Sequence, residues 1–212
     1  MWNLPNILTL VRICLTPVIA LLPFIEGYWP KLICFAVFLF AAITDVWDGY
    51  YARSRNMVTD LGKLLDPIAD KLLLFATLIP IYIISRTRHD LYDIPLWGSI
   101  PLWVCVLLVG REFAMTGFRW YAKRRGIVIP ASDAGKLKTV VQNVYIGATI
   151  LWFAFRDARK PMGWDHSRYA DWWNQFHGGF VAVTLGFAAL LTIYSFLHYM
   201  NRYRELLGPR RG

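Results

Sequence analysis

Six mostly apolar stretches, residues 7–25, 32–52, 61–85, 96–121, 137–155 and 178–200, divide this chain. Each is close to the roughly 20 residues a helix needs to cross a bilayer's hydrocarbon core. The breaks between them carry Pro, Gly and charge, as connections do. A chain of 212 residues is one domain by length. The expectation is therefore an all-α integral membrane protein, with residues 1–212 forming a single domain of six transmembrane helices. Composition agrees. Charged residues are 17% and apolar residues 57%, with mean hydropathy +0.39, where a soluble domain carries roughly 25% charge. Disorder needs the opposite balance, and a soluble globule of this length cannot hide so much apolar surface. The first stretch does not read as a signal peptide, because Arg12 lies inside it and no small-x-small cleavage site follows.

The net charge of +9 reads as basic loops facing anionic lipid, not as a nucleic-acid surface. With six spans, one side of the membrane holds 13 Lys and Arg and the other 7. The richer side should be cytoplasmic, which puts both termini there. Lys123, Arg124 and Arg125 read as a juxtamembrane basic patch. Trp2, Trp29, Trp97, Trp120, Trp152, Trp172 and Trp173 fall near span ends, where an interfacial aromatic belt belongs. The three cysteines stand singly and the four histidines show no ligand spacing, so neither set reads as a site.

Five acidic residues crowd into residues 45–70, and four of them, Asp45, Asp48, Asp66 and Asp70, fall within expected spans. An Asp at a helix centre costs roughly 2.5–3.5 kcal/mol to insert. These four must therefore lie near one interface, in a polar cavity with something positive among them. Asp45 and Asp48 are three apart and Asp66 and Asp70 four apart, so each pair shares a helix face. The short connection makes the two helices antiparallel neighbours and sets both pairs at one depth. Converging carboxylates repel unless cations bind, and hard oxygen ligands favour Mg2+ or Mn2+. Two ions bridged in this way suit a diphosphate. Gly49, Ala52 and Gly62 leave room for a bulky ligand, and Arg53 can neutralise a phosphate oxygen. Pro67 should kink the third helix beside the carboxylates.

Residues 45–70 resemble the CDP-alcohol phosphatidyltransferase signature D-x2-D-G-x2-A-R-x8-G-x3-D-x3-D. All eight fixed positions match: Asp45, Asp48, Gly49, Ala52, Arg53, Gly62, Asp66 and Asp70. The segments 4–12, 65–71, 110–119 and 135–139 resemble the branch of that family that makes phosphatidylglycerophosphate. Residues 156–176, with extra Trp and charge, form a longer loop than that pattern has.

The resemblance implies a multi-pass enzyme of the cytoplasmic membrane, usually a homodimer, with its site open to the cytoplasm. It implies transfer of the phosphatidyl group of CDP-diacylglycerol to glycerol 3-phosphate, with two Mg2+ (or Mn2+) ions and release of CMP. Asp45, Asp48, Asp66 and Asp70 resemble the metal ligands, and Asp70 also the general base. Gly49, Ala52, Arg53 and Gly62, with Asp48, resemble the nucleotide and diphosphate contacts.

Asn6, Thr9 and Arg12 share one face of the first helix, which spacing alone leaves open between further diphosphate contacts and an interfacial anchor; the resemblance implies the diphosphate contacts. The acceptor's dianionic phosphate needs a basic pocket, for which Lys71, Arg111, Arg119, Lys136 and Lys138 are the candidates, although Glu112 can pair with Arg111 instead. Other acceptors of the same chemistry are phosphatidylglycerol, giving cardiolipin, and inositol phosphate. An intramembrane prenyltransferase would place two Asp-rich loops far apart in sequence. A cation channel would distribute its acids through the membrane depth. Neither pattern is the one present.

Overall fold

The first helix turns its Asn, Thr and Arg side chains inward and most of its large apolar ones outward. Helix α1 (Leu4–Leu21) buries Asn6, Thr9, Arg12 and Thr16 while leaving Leu4, Ile7, Val11, Val18 and Leu21 exposed. That pattern is inverted relative to a water-soluble helix and suits one whose surroundings are lipid. The computed structural model describes residues 3–54, 59–87, 94, 98–130, 132–159, 161–164 and 167–204, with their side chains except those of residues 46, 48–54, 60 and 63. After α1 come a 3-10 turn (Leu22–Phe24), α2 (Tyr28–Ser54), α3 (Asp60–Thr87), α4 (Leu102–Arg124), α5 (Asp133–Ala158) and α6 (Arg168–Arg202). Each of the six expected spans is occupied by one helix. Helices satisfy their own backbone groups, which lipid cannot do for them.

Among the described residues, four helical stretches are long and apolar enough to cross a membrane by themselves: Leu4–Phe24, Tyr28–Asp45, Leu64–Thr87 and Arg168–Arg202. Helices α4 and α5 carry Arg111, Glu112 and Lys138 along their length, and these charges are buried against one another as described below.

Local chemistry sets the helix ends. Asn3 caps α1, its side chain accepting from the Asn6 amide at 3.2 Å. Thr59 caps α3, its Oγ1 accepting from the Gly62 amide at 3.0 Å. Helix α3 runs through Pro67 and Pro80. The fourth helix starts at Leu102, six residues later than the apolar run at 96 suggests. Ile94 and Gly98 exchange backbone hydrogen bonds at 2.8 Å, Gly98 sits at φ +63, and the extended Pro101 precedes the first turn. Helix α6 starts ten residues earlier than expected, because its first turns are aromatic and polar yet still helical.

The chain forms two compact units. The first holds residues 1–100 and 146–182, and in it α1 packs on both α2 and α3. The second holds residues 101–145 and 183–212. Met115, Phe118, Ala122, Ile129 and Tyr199 form a core there.

Candidate active site

Arg12 is almost completely buried, and its guanidinium reaches the carboxylates. Nη1 donates to Asp45 Oδ1 at 2.5 Å and approaches Asp70 Oδ1 at 3.4 Å. One turn earlier on α1, Thr9 Oγ1 lies 3.0 Å from Asp66 Oδ1 and 3.1 Å from the Pro5 carbonyl oxygen. A turn earlier again, Asn6 Nδ2 donates to Thr59 Oγ1 at 2.9 Å, and the Thr59 hydroxyl lies 3.0 Å from Asn6 Oδ1. The face formed by Asn6, Thr9 and Arg12 is thus laid along α3 and the end of α2. It contacts Asp45 from α2 and Asp66 and Asp70, one turn apart, from α3. Arg12 offsets one of three negative charges. Asp45 and Asp70 keep 38% and 59% of their side-chain surface open, so a ligand can reach them.

Asp48, Gly49, Ala52 and Arg53 occupy the last turns of α2, and their side chains lie outside the described residues. Gly62 has a specific neighbour. A Cβ there would stand 2.8 Å from Asn6 Oδ1 and 3.2 Å from Thr59 Oγ1. Gly62→Ala must displace the buried Asn6 amide, which by overpacking should cost about 1–3 kcal/mol. Thermal unfolding in detergent checks this, and an unchanged midpoint would remove Asn6 as the reason for glycine. Lys71 follows Asp70 on α3, with Nζ 3.2 Å from the Pro67 carbonyl oxygen.

The remaining basic candidates belong to the second unit. Glu112 Oε1 accepts from Arg111 Nη1 at 2.9 Å and from Lys138 Nζ at 2.6 Å. Arg111 Nη2 also donates to Ser195 Oγ at 3.1 Å, and its buried Nε has no acceptor among the described residues. Both cations are buried, so this trio carries one net positive charge in a low-dielectric setting. Arg119 lies over the Tyr199 ring, 6.0 Å from its centroid. The Tyr199 hydroxyl donates to the Pro130 carbonyl at 2.9 Å and accepts from the Ser132 amide at 2.5 Å. Ser132 in turn caps α5 by accepting from the Gly135 amide. Lys136 is exposed and paired with Asp133 at 3.0 Å. Of the basic patch, Arg124 covers Trp120 at 3.6 Å and Arg125 covers Tyr121 at 4.7 Å. Nothing in the sequence near Arg111 or Glu112 points to Ser195, 84 residues away, and Tyr199 reads there as one more aromatic in an apolar run.

Residues 2–189 match the model of the family described as CDP-alcohol phosphatidyltransferase. The chain belongs to the CDP-alcohol phosphatidyltransferase family. It is 42% identical over 152 residues to a protein of Mycobacterium tuberculosis named "Probable phosphatidylglycerophosphate synthase". That match covers 70% of this chain and 66% of the relative, just under two thirds of its length. It is 37% identical over 163 residues to the "CDP-diacylglycerol--glycerol-3-phosphate 3-phosphatidyltransferase" of Bacillus subtilis, covering 71% and 78% of the two chains. A protein of the same name from Pectobacterium atrosepticum is 30% identical over 213 residues, 98% of this chain and 99% of that one. The resemblance read from residues 45–70 is thereby borne out, as is an all-helical membrane protein. CDP-alcohol phosphatidyltransferases are generally dependent on a divalent metal. Asp45, Asp66 and Asp70 are hard oxygen donors of the kind such an ion takes, reached from one face of α1 with one internal counter-charge, but among the described residues no three acidic, histidine or cysteine side chains are placed to hold it together.

Proposed function

We infer that this phosphatidyltransferase moves the phosphatidyl group of CDP-diacylglycerol to sn-glycerol 3-phosphate, giving phosphatidylglycerophosphate and CMP. The observation that carries the reading is the gathering of Asp45, Asp66 and Asp70 by Thr9 and Arg12 of α1. The names of the relatives support glycerol 3-phosphate as the acceptor. Residues 1–212 act as one catalytic domain in the cytoplasmic membrane, with both termini and the site on the cytoplasmic side, as a homodimer.

Asp45, Asp48, Asp66 and Asp70 would hold two Mg2+ or Mn2+ ions, which when bound neutralise charge on the diphosphate. Gly49, Ala52, Arg53 and Gly62 border the nucleotide. Asn6, Thr9 and Arg12 keep the carboxylates aimed at the diphosphate, with Arg12 contributing a fixed positive charge beside it. Asp70, more open than Asp45, accepts the acceptor's hydroxyl proton as the oxygen attacks the lipid-side phosphorus. The bond to the bridging oxygen breaks and CMP leaves with that electron pair. Lys71, Arg111, Arg119, Lys136 and Lys138 serve the acceptor phosphate. Glu112 holds Arg111 and Lys138 together as a preformed pair with charge to spare, whereas Lys136 already shares solvent with Asp133.

A product assay tests this on detergent-solubilised protein with CDP-diacylglycerol and Mg2+. Glycerol 3-phosphate, inositol phosphate, serine and phosphatidylglycerol are offered in parallel. Phosphatidylglycerophosphate and CMP are expected only with the first. CMP with another acceptor overturns the acceptor pocket. No CMP with any acceptor, from folded protein, overturns the reaction.

A further inference from the structure

The loop after α5 and the first turns of α6 belong to the first unit but take no part in the carboxylate cluster. Lys31, near the start of α2, is hydrogen-bonded to Asp157 at the end of α5. Asp45 lies 14 residues further along α2, roughly 21 Å at helical rise. The loop therefore sits at the opposite end of the unit from the site. It is built to hold a shape. The Met162 amide donates to the Ala158 carbonyl at 3.1 Å and Trp164 to that of Arg159 at 2.9 Å. Gly163 turns the chain at φ +71, and Arg159 Nη2 donates to Asp171 Oδ1 at 2.8 Å.

What this frame presents is aromatic. A cavity of about 470 Å³ is lined by Phe155, Trp164, Tyr169, Trp172, Trp173 and Ser167, among others. The Phe155 ring lies 6.1 Å from Trp164 and 5.9 Å from Trp173. Trp172 lies 6.4 Å from Trp173 and is stacked on Phe176 at 5.7 Å. These rings are not consumed by the core: Trp164 is 42%, Trp172 62% and Tyr169 86% exposed. A belt tryptophan lies singly at the membrane surface, but here five rings converge on one concavity. Concave π faces attract cations, and the benefit is largest for one that sheds water easily. A trimethylammonium group does so, and a primary ammonium, which keeps its hydration, does not. The volume falls within the range of ligand sites and admits the neighbouring phosphate as well.

Depth supplies the source. Helix α6 has 35 residues, about 52 Å at helical rise, against a hydrocarbon core of roughly 30 Å. With residues 178–200 in the hydrocarbon, residues 168–177 stand among lipid headgroups. We propose that the aromatic cavity between the end of α5 and the start of α6 binds the trimethylammonium headgroup of a zwitterionic phospholipid.

Native mass spectrometry of the full chain, released from a maltoside detergent, tests this. The probes are phosphatidylcholine and phosphatidylethanolamine of identical acyl chains. The expected result is about tenfold greater retention of phosphatidylcholine, the ratio two added π faces supply. Trp164→Leu/Trp173→Leu should abolish the preference, Trp164→Phe/Trp173→Phe should restore most of it, and Trp29→Leu, an exposed tryptophan outside the cavity, should leave it intact. Equal retention of the two lipids overturns the proposal, as does a preference that survives the double leucine variant; the rings are then an ordinary interfacial belt. Soluble phosphocholine binding as tightly as the lipid also overturns it, since the ligand is then a free solute.

Discussion

Asp70→Asn is expected to lower turnover by roughly 10²- to 10⁴-fold, the usual range for loss of a positioned general base, while thermal unfolding in detergent is unchanged. The two halves of that expectation have separate causes. Asparagine keeps the shape of aspartate but cannot accept the acceptor's proton, and it weakens any cation held at that position. Stability survives because the short contact of Arg12 is with Asp45 at 2.5 Å, not with Asp70 at 3.4 Å. Asp45→Asn is the contrasting variant, since it withdraws the nearest counter-charge from a guanidinium only 1% exposed. It should lower both turnover and the unfolding midpoint. Release of CMP under saturating CDP-diacylglycerol and glycerol 3-phosphate separates the cases. Near-normal turnover by Asp70→Asn would move the base elsewhere in the cluster.

The parts of the site legible in the sequence are those set by local helical spacing. Three- and four-residue separations place Asp45 beside Asp48 and Asp66 beside Asp70 whatever surrounds them, and the same holds for Asn6, Thr9 and Arg12. What α1 does with that face was open between a diphosphate contact and an anchor. Its partners, Asp45, Thr59, Asp66 and Asp70, lie 33 to 58 residues away, and spacing carries no information over that distance. Glu112 shows the same limit. Pairing with Arg111 is visible from adjacency, but its second partner Lys138 is 26 residues on. The six helices were legible because apolar length is a local property. The start of α4 at Leu102 was not, because Gly98 and Pro101 interrupt an apolar run that hydropathy alone joins. Lys31 reads as a loop charge at a span end, and only the fold shows it buried.

That buried lysine should produce the largest stability effect in the molecule. Lys31 is 1% exposed, and its ammonium donates to Asp157 and to the Ile25 carbonyl at 3.0 Å, with the Gly27 carbonyl at 3.5 Å. It therefore ties the turn before α2 to the end of α5. Removing one partner takes the counter-charge from an ion that is buried or nearly so, at a cost of about 3–5 kcal/mol. Asp157→Asn leaves the ammonium with neutral acceptors only. Lys31→Met leaves a carboxylate that is itself only 10% exposed. Either single variant should lower the unfolding midpoint in detergent sharply. Lys31→Met/Asp157→Leu removes both charges together and should recover most of the loss, since replacing a buried pair by apolar groups is often neutral. Where the variants remain folded, turnover should hold near its normal value, because the pair lies roughly 21 Å along α2 from Asp45. Additive losses in the double variant would mean that the two residues act independently and that the pair does not fasten α2 to α5.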